Sequence, residues 1–258
     1  MSHVSRSMLA LTVFSLLGLS LLVPRERVEA THGKKLDHFK CYRTEPVLGV
    51  VGEIDVDDQF LSAPARVTAS DAFVLCNPVE KRHRGKTEIE NPNAHLVFYF
   101  LNPPLFEAPS TVEVRNQFGR QQLELLPVPL LAVPSWKDPA TPPTADTPPG
   151  LDHFLCRPAF GPPLNVTVSL RDQFGSERKV KVQGPELFCN PASKVHADLL
   201  PPRSFGIEHP EEHLTCYHIE EHPVSRTVTI VNQFHSSSLT VTTAFDLCVP
   251  SRKLSESP

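Results

Sequence analysis

Four short segments carry an Asx–Gln–Phe triplet: Asp58-Gln59-Phe60, Asn116-Gln117-Phe118, Asp172-Gln173-Phe174 and Asn232-Gln233-Phe234. Each Asx is in two-residue phase with apolar neighbours, as Asp172 is with Val168 and Leu170. A carboxylate on the apolar side of a strand could be a general base or a hard-metal ligand. The alternation of Asp with Asn argues against both, because Asn has no titratable proton. The two share a short side chain with an acceptor oxygen. That predicts an Asx turn, in which the oxygen takes backbone N–H groups where the strand ends.

Histidine is the second candidate. His38, His95, His153 and His213 open the four segments, 57, 58 and 60 residues apart. A residue present in every unit reads as part of the unit's construction, here on a strand's outer face or at a contact between the two halves. The densest acid–histidine group is His209, His213, His218 and His222 with Glu208, Glu211, Glu212, Glu220 and Glu221. It offers the donor types of a metal site. The chain has no HExxH, no Gly-x-Ser-x-Gly and no glycine-rich phosphate loop. No catalytic residue, metal ligand or cofactor-binding residue is assigned from sequence, and no cofactor is expected.

The elements that must position these residues form a repeat within a repeat. Units 36–81 and 151–194 share "LDHF", "DQF" and "CNP"; units 94–136 and 212–253 share "HL", "NQF" and "VPS". Each unit ends near a Lys. Period-two alternation with β-branched residues, as in "TVEVRNQF" and "RTVTIVNQF", predicts strands throughout. The fold class expected is all-β: two tandem β-sandwich or compact barrel domains, each of two pseudo-symmetric repeats. The first domain spans 36–136 and the second 151–253, joined by a Pro-rich linker at 137–150.

Cysteine pairs occur in three units: Cys41 and Cys76, Cys156 and Cys189, Cys216 and Cys248. The other unit has Phe98 and Ala132 at the matching places. Both cysteines are missing together, so pairing within each unit leaves no thiol unpartnered. Three such disulfides are expected, each contributing roughly 3–4 kcal/mol in the chain-entropy model, with Phe98 filling the volume beside Ala132.

Residues 1–30 read as a signal peptide: a positive head, an apolar run to about Val23 and a small-residue "VEA" ending at Ala30. The apolar run is shorter than a membrane span needs. The net charge is −4, and the +1 of Arg6, Arg25 and Arg27 against Glu26 and Glu29 leaves −5 on residues 31–258. Nucleic acid and anionic membrane are therefore poor partners. A secreted location, extracellular or periplasmic, fits six cysteines in an exported chain.

The paired pattern "HFKCY…DQF…LCNPxxK" and "HL…NQFG…VPSxK" resembles a family of uncharacterised bacterial secreted repeat proteins, a domain of unknown function. The resemblance covers nearly all of 36–253. It implies export and tandem modules, and no activity or site. The expected function is an exported, non-enzymatic interaction module for an extracellular protein or glycan. Two alternatives stand beside it: a metal-assisted hydrolase using 208–222, and a carbohydrate-binding module presenting Tyr42, Tyr99 and Tyr217.

Overall fold

A computed structural model describes residues 35–106, 111–127, 130–196, 199 and 201–257. The expected signal peptide lies outside the described residues. Among the described residues there are fourteen strands and no helix. The first unit is built from β1 (Phe39–Asp58) and β2 (Ala65–Pro78), followed by the short β3 (Glu80–Arg82) and β4 (Lys86–Thr87). The second has β5 (His95–Asn102), β6 (Thr111–Asn116), β7 (Gly119–Leu125) and β8 (Leu130–Lys137). The third has β9 (His153–Phe160), β10 (Val166–Asp172), β11 (Gly175–His196) and the short β12 (Arg203–Phe205). The fourth is β13 (His213–Val231) and β14 (Ser236–Ser257).

Each unit is one long antiparallel ribbon with a bend in it. Its base joins the segment after the His to the segment around the second cysteine position, as in Cys41 opposite Cys76. Its far half is a hairpin closed by the Asx–Gln–Phe turn, as in Ile54 opposite Val67. The bend in the first unit falls where the register slips between Arg43 and Gly52. In the second and third units the residue after the triplet, Gly119 (φ 117°) or Gly175 (φ 149°), supplies the positive φ that a tight hairpin turn requires.

The eight base segments pair in one closed cycle. β1 pairs β2, β2 pairs β5, β5 pairs β8 and β8 pairs β9. Then β9 pairs β11, β11 pairs β13, β13 pairs β14, and β14 returns to β1. All eight contacts are antiparallel, so the ring is an eight-stranded up-and-down barrel without a free edge. A barrel of this size is filled by side chains. Inward positions are Phe39, Cys41, Cys76, Leu96, Phe98, Phe154, Leu214 and their neighbours, all in one buried cluster. The disulfides Cys41–Cys76, Cys156–Cys189 and Cys216–Cys248 lie inside it, each bridging the two base strands of one unit. Two of them touch, Cys41 Sγ lying 3.5 Å from Cys248 Sγ. In the cysteine-free unit Phe98 stands directly opposite Ala132, both buried.

The hairpins wrap the outside of the ring like the vanes of a pinwheel. The second unit's hairpin lies over Ala159 and Phe188 of the third, and its strand β6 pairs with the end of β14 in the fourth. The third unit's hairpin lies over Tyr217, Leu247 and Val249 of the fourth, and β10 pairs with β3 of the first. The first unit's hairpin pairs with the end of β11, and the fourth's with the end of β8. Each hairpin thus ends on the unit two places further round.

This interlocking corrects the expected two-domain layout. Strands of the two halves pair at seven places (β8 with β9, β1 with β14, β1 with β11, β8 with β13, β6 with β14, β3 with β10 and β7 with β9), and Gly33–Pro258 is one compact unit. Residues 137–150 are no spacer between separate bodies. They are fastened by Trp136 Nε1 to the Ala145 carbonyl, by Arg203 to Asp146, and by Asn91 to the Pro149 carbonyl. The likeness of the first unit to the third, and of the second to the fourth, has a different cause: these are the pairs that meet across the ring.

Candidate functional site at the barrel mouth

The four Asx side chains are placed alike. Oδ1 accepts the backbone N–H of the following Phe: Asp58 from Phe60 (3.0 Å), Asn116 from Phe118 (2.8 Å), Asp172 from Phe174 (3.0 Å) and Asn232 from Phe234 (3.0 Å). The outer atom of each reaches the opposite unit. Asp172 Oδ2 accepts from Tyr42 Oη (2.6 Å) and Asn77 Nδ2 (3.0 Å). Asp58 accepts from both Arg157 terminal nitrogens (2.5 and 3.2 Å) and from Asn190 Nδ2 (3.2 Å). Asn232 Nδ2 donates to Tyr99 Oη and Ser135 Oγ, both at 2.9 Å. Asn116 Nδ2 donates to Tyr217 Oη (2.7 Å) and Ser251 Oγ (3.1 Å). The Asp/Asn choice follows from the partner. Where the opposite unit offers an Asn amide, an acceptor carboxylate fits; where it offers hydroxyl oxygens, a donor amide fits.

The phenylalanines of the triplet are placed as regularly. Phe118, Phe174 and Phe234 meet Tyr217, Tyr42 and Tyr99 edge to face at 5.0–5.2 Å between ring centres, and Arg157 lies 5.0 Å over Phe60. The Lys that ends the preceding unit covers each ring: Lys81 on Phe118, Lys137 on Phe174, Lys194 on Phe234 and Lys253 on Phe60, at 4.0–5.7 Å. Tyr42, Tyr99 and Tyr217, which the alternative carbohydrate-binding reading needs as exposed rings, are fully buried. An outward-facing strand residue is covered once a hairpin folds onto that face.

The four unit-opening histidines are also buried. His95 Nδ1 lies 3.1 Å from Asn77 Oδ1, and His213 Nδ1 3.1 Å from Asn190 Oδ1; His153 meets Gln233. Burial, followed by the positive charge of a nearby lysine, pushes His38 and His95 down to about 3 and His213 to about 4, and His153 well below its ordinary value. They are neutral hydrogen-bonding groups under physiological conditions.

One constellation breaks the fourfold pattern. On the barrel's inner face, two residues beyond the cysteine pair of the fourth unit, His218 stands directly opposite Asp246. The same rim position holds Arg43 opposite Val74 in the first unit and Phe100 opposite Leu130 in the second. Glu186, on neighbouring β11, completes the group: His218 Nδ1 is 3.2 Å from Glu186 Oε1 and 3.8 Å from Asp246 Oδ1. Among the described residues these are the three acid and imidazole groups whose ligand atoms gather within 4.8 Å. Asp246 is 1% exposed, and burial pushes its carboxyl up to about 7; the facing Asp246 raises His218. The group borders a cavity of about 170 Å³ at the barrel mouth, lined by Phe73, Phe98, Leu130, Leu187 and Phe245.

Of the acid–histidine residues singled out in sequence, His218 alone joins this group. His222 is exposed, and His209 lies 3.6 Å from Asp152. Glu186 and Asp246 were missed. The available signal was alignment within the chain: Asp246 in "AFDLC" replaces the Val74 of "AFVLC".

The fold defines a class: a closed barrel of four interlocked ribbon repeats. The chain belongs to the family described as a repeat of unknown function (DUF7450), whose profile matches residues 17–134 and 107–250. No curated protein and no solved structure matches it.

Proposed function

We propose that the protein is an exported, non-enzymatic β-repeat module that acts by binding an extracellular partner, a protein or a glycan. One observation carries this reading. The polar residues that recur in every unit, and could have done chemistry four times over, are hydrogen-bonded or stacked against one another across the ring. They build a rigid body. Three disulfides agree with an oxidising compartment. No helix among the described residues is long and apolar enough to cross a membrane. The partner-binding surface is the barrel mouth, where Phe100, 44% exposed, stacks on Phe73 at 4.0 Å.

Glycan-array and immobilised-protein binding, run with Phe100→Glu and with the remote Arg120→Glu, tests this. Binding lost in the first variant and kept in the second is expected; binding unchanged in both contradicts the mouth assignment. A second reading, a metal-assisted hydrolase, is favoured by the Glu186–His218–Asp246 group. Turnover of chromogenic ester or peptide substrates that disappears in His218→Ala would replace the binding reading with it.

A further inference from the structure

The rim group has two properties that a purely structural polar cluster would not be expected to combine. Asp246 Oδ1 is buried and makes no hydrogen bond, and His218 Nδ1, 3.8 Å away, makes none either, its nearest contact being the 3.2 Å ion pair with Glu186 Oε1. Buried polar atoms are nearly always satisfied, and a carboxylate left without a partner inside a protein is costly. The two buried carboxylates of the Asx turns obey the rule by dense bonding: Asp58 and Asp172 each accept three or more hydrogen bonds. At the rim the two atoms instead face each other and Glu186 Oε1 across a gap. The group is also singular, standing where the first and second units carry Arg43 with Val74 and Phe100 with Leu130.

We propose that Glu186, His218 and Asp246 form a divalent transition-metal site of zinc type, with an open coordination position facing the apolar barrel mouth. Zinc bonds nitrogen and carboxylate oxygen at about 2.0–2.2 Å in tetrahedral geometry, which places its ligand atoms roughly 3.3 Å apart. The 3.2 and 3.8 Å separations here are close to that, and the three ligand atoms all lie within 4.8 Å of one another. One imidazole with two carboxylates suits zinc and its neighbours; calcium needs six to eight oxygens and magnesium a nearly ideal octahedron. Three protein ligands leave the fourth position for water or for an atom of a bound partner. The cross-strand disulfide Cys216–Cys248 lies one inward position below the His218–Asp246 pair and holds the two strands at fixed spacing. The site stands whether or not the binding-module reading does, since it is read out by the metal alone.

Isothermal titration of the untagged, disulfide-bonded protein with zinc chloride, after treatment with chelator, tests the proposal. One zinc per chain is expected, with magnesium and calcium at least a hundredfold weaker. His218→Ala and Glu186→Gln should each weaken zinc at least tenfold, while His222→Ala, at an exposed position on the same strand, should leave it unchanged. Asp246→Asn, close in shape, should also lose zinc. Because that residue is buried, the two rim variants decide the matter if Asn is not tolerated. Zinc binding that is absent, that survives both rim variants, or that falls equally in His222→Ala overturns the proposal.

Discussion

At the scale of the residue, the Asx of each hairpin has two roles set by its two outer atoms. One oxygen ends its own strand through an Asx turn, and the other atom locks the hairpin to the opposite unit. Arg157 and Asp58 make the most exposed test of this, since both side chains are fully buried. Arg157→Leu leaves the Asp58 carboxylate without its cation and should cost about 3–5 kcal/mol. Arg157→Tyr recreates the Tyr42–Asp172 geometry and should cost clearly less. Urea unfolding of the two variants checks the order, and equal losses would contradict it. The Asx turn was legible in the sequence because four aligned copies showed Asp and Asn interchanging. The partner across the ring was not, because period-two alternation tells which face a residue occupies and not what covers that face. Tyr42 is the instance: outward by phase, yet buried in one cluster with Val228, Ile230, Leu239 and Val241 of the fourth unit's hairpin, its ring against Phe174 of the third unit's turn.

Titration belongs to the same scale. His38, His95, His153 and His213 have folded-state values far below the 6.5 of an unfolded chain, chiefly because they are buried. Between pH 6.5 and about 4 the unfolded chain therefore binds more protons, and stability falls as pH falls. Each imidazole held neutral should cost roughly 1–2 kcal/mol by pH 5. Asp246, raised to about 7, acts in the opposite direction, as do the raised His218 and Glu212, but the four deeply buried histidines dominate. Urea midpoints measured at pH 7.5, 6 and 5 should decrease in that order; a flat or rising series would contradict the neutral assignment.

At the scale of the element, each unit is a ribbon whose base is clamped across the barrel interior. Three clamps are disulfides with Cα separations of 3.8–4.0 Å, and the remaining one is Phe98 against Ala132. The register of β5 on β8 is that of the disulfide-bearing ribbons. Phe98→Cys with Ala132→Cys should therefore form a fourth disulfide spontaneously on oxidative folding. Mass spectrometry should show eight cysteines without a free thiol, and a pair of reactive thiols would show that this ribbon is differently registered. The pairing of the natural cysteines was legible by elimination, since one unit lacks both. The rim site escaped notice because its third ligand, Glu186, comes from another strand of the ring. Its signal, a charged residue replacing Val74 at the matching position, is visible only when the units are laid over one another.

At the scale of the whole molecule, the alternating kinship of the units suggested two domains and a linker. Sequence likeness reports shared environment, and here the like units are those facing each other across the ring. Asp58 with Asn190, and Asp172 with Asn77, form one reciprocal set; Asn116 with Ser251, and Asn232 with Ser135, form the other. Which strands close the ring depends on contacts far apart in sequence, such as β1 with β14, and local pattern does not carry them. Either half alone, 36–136 or 151–253, would expose two open barrel edges and uncovered apolar faces. Each should accordingly fail to fold, as read by proteolysis and by loss of near-ultraviolet dichroism; a folded, protease-resistant half would show that the halves are autonomous.

The claim that the four units form one cooperative ring is tested most directly by scanning calorimetry of the oxidised protein. A single closed body predicts one transition whose calorimetric and van't Hoff enthalpies agree, a ratio of about 1. A ratio near 2, or two resolved transitions, would mean that the halves unfold independently and would contradict the interlocked barrel.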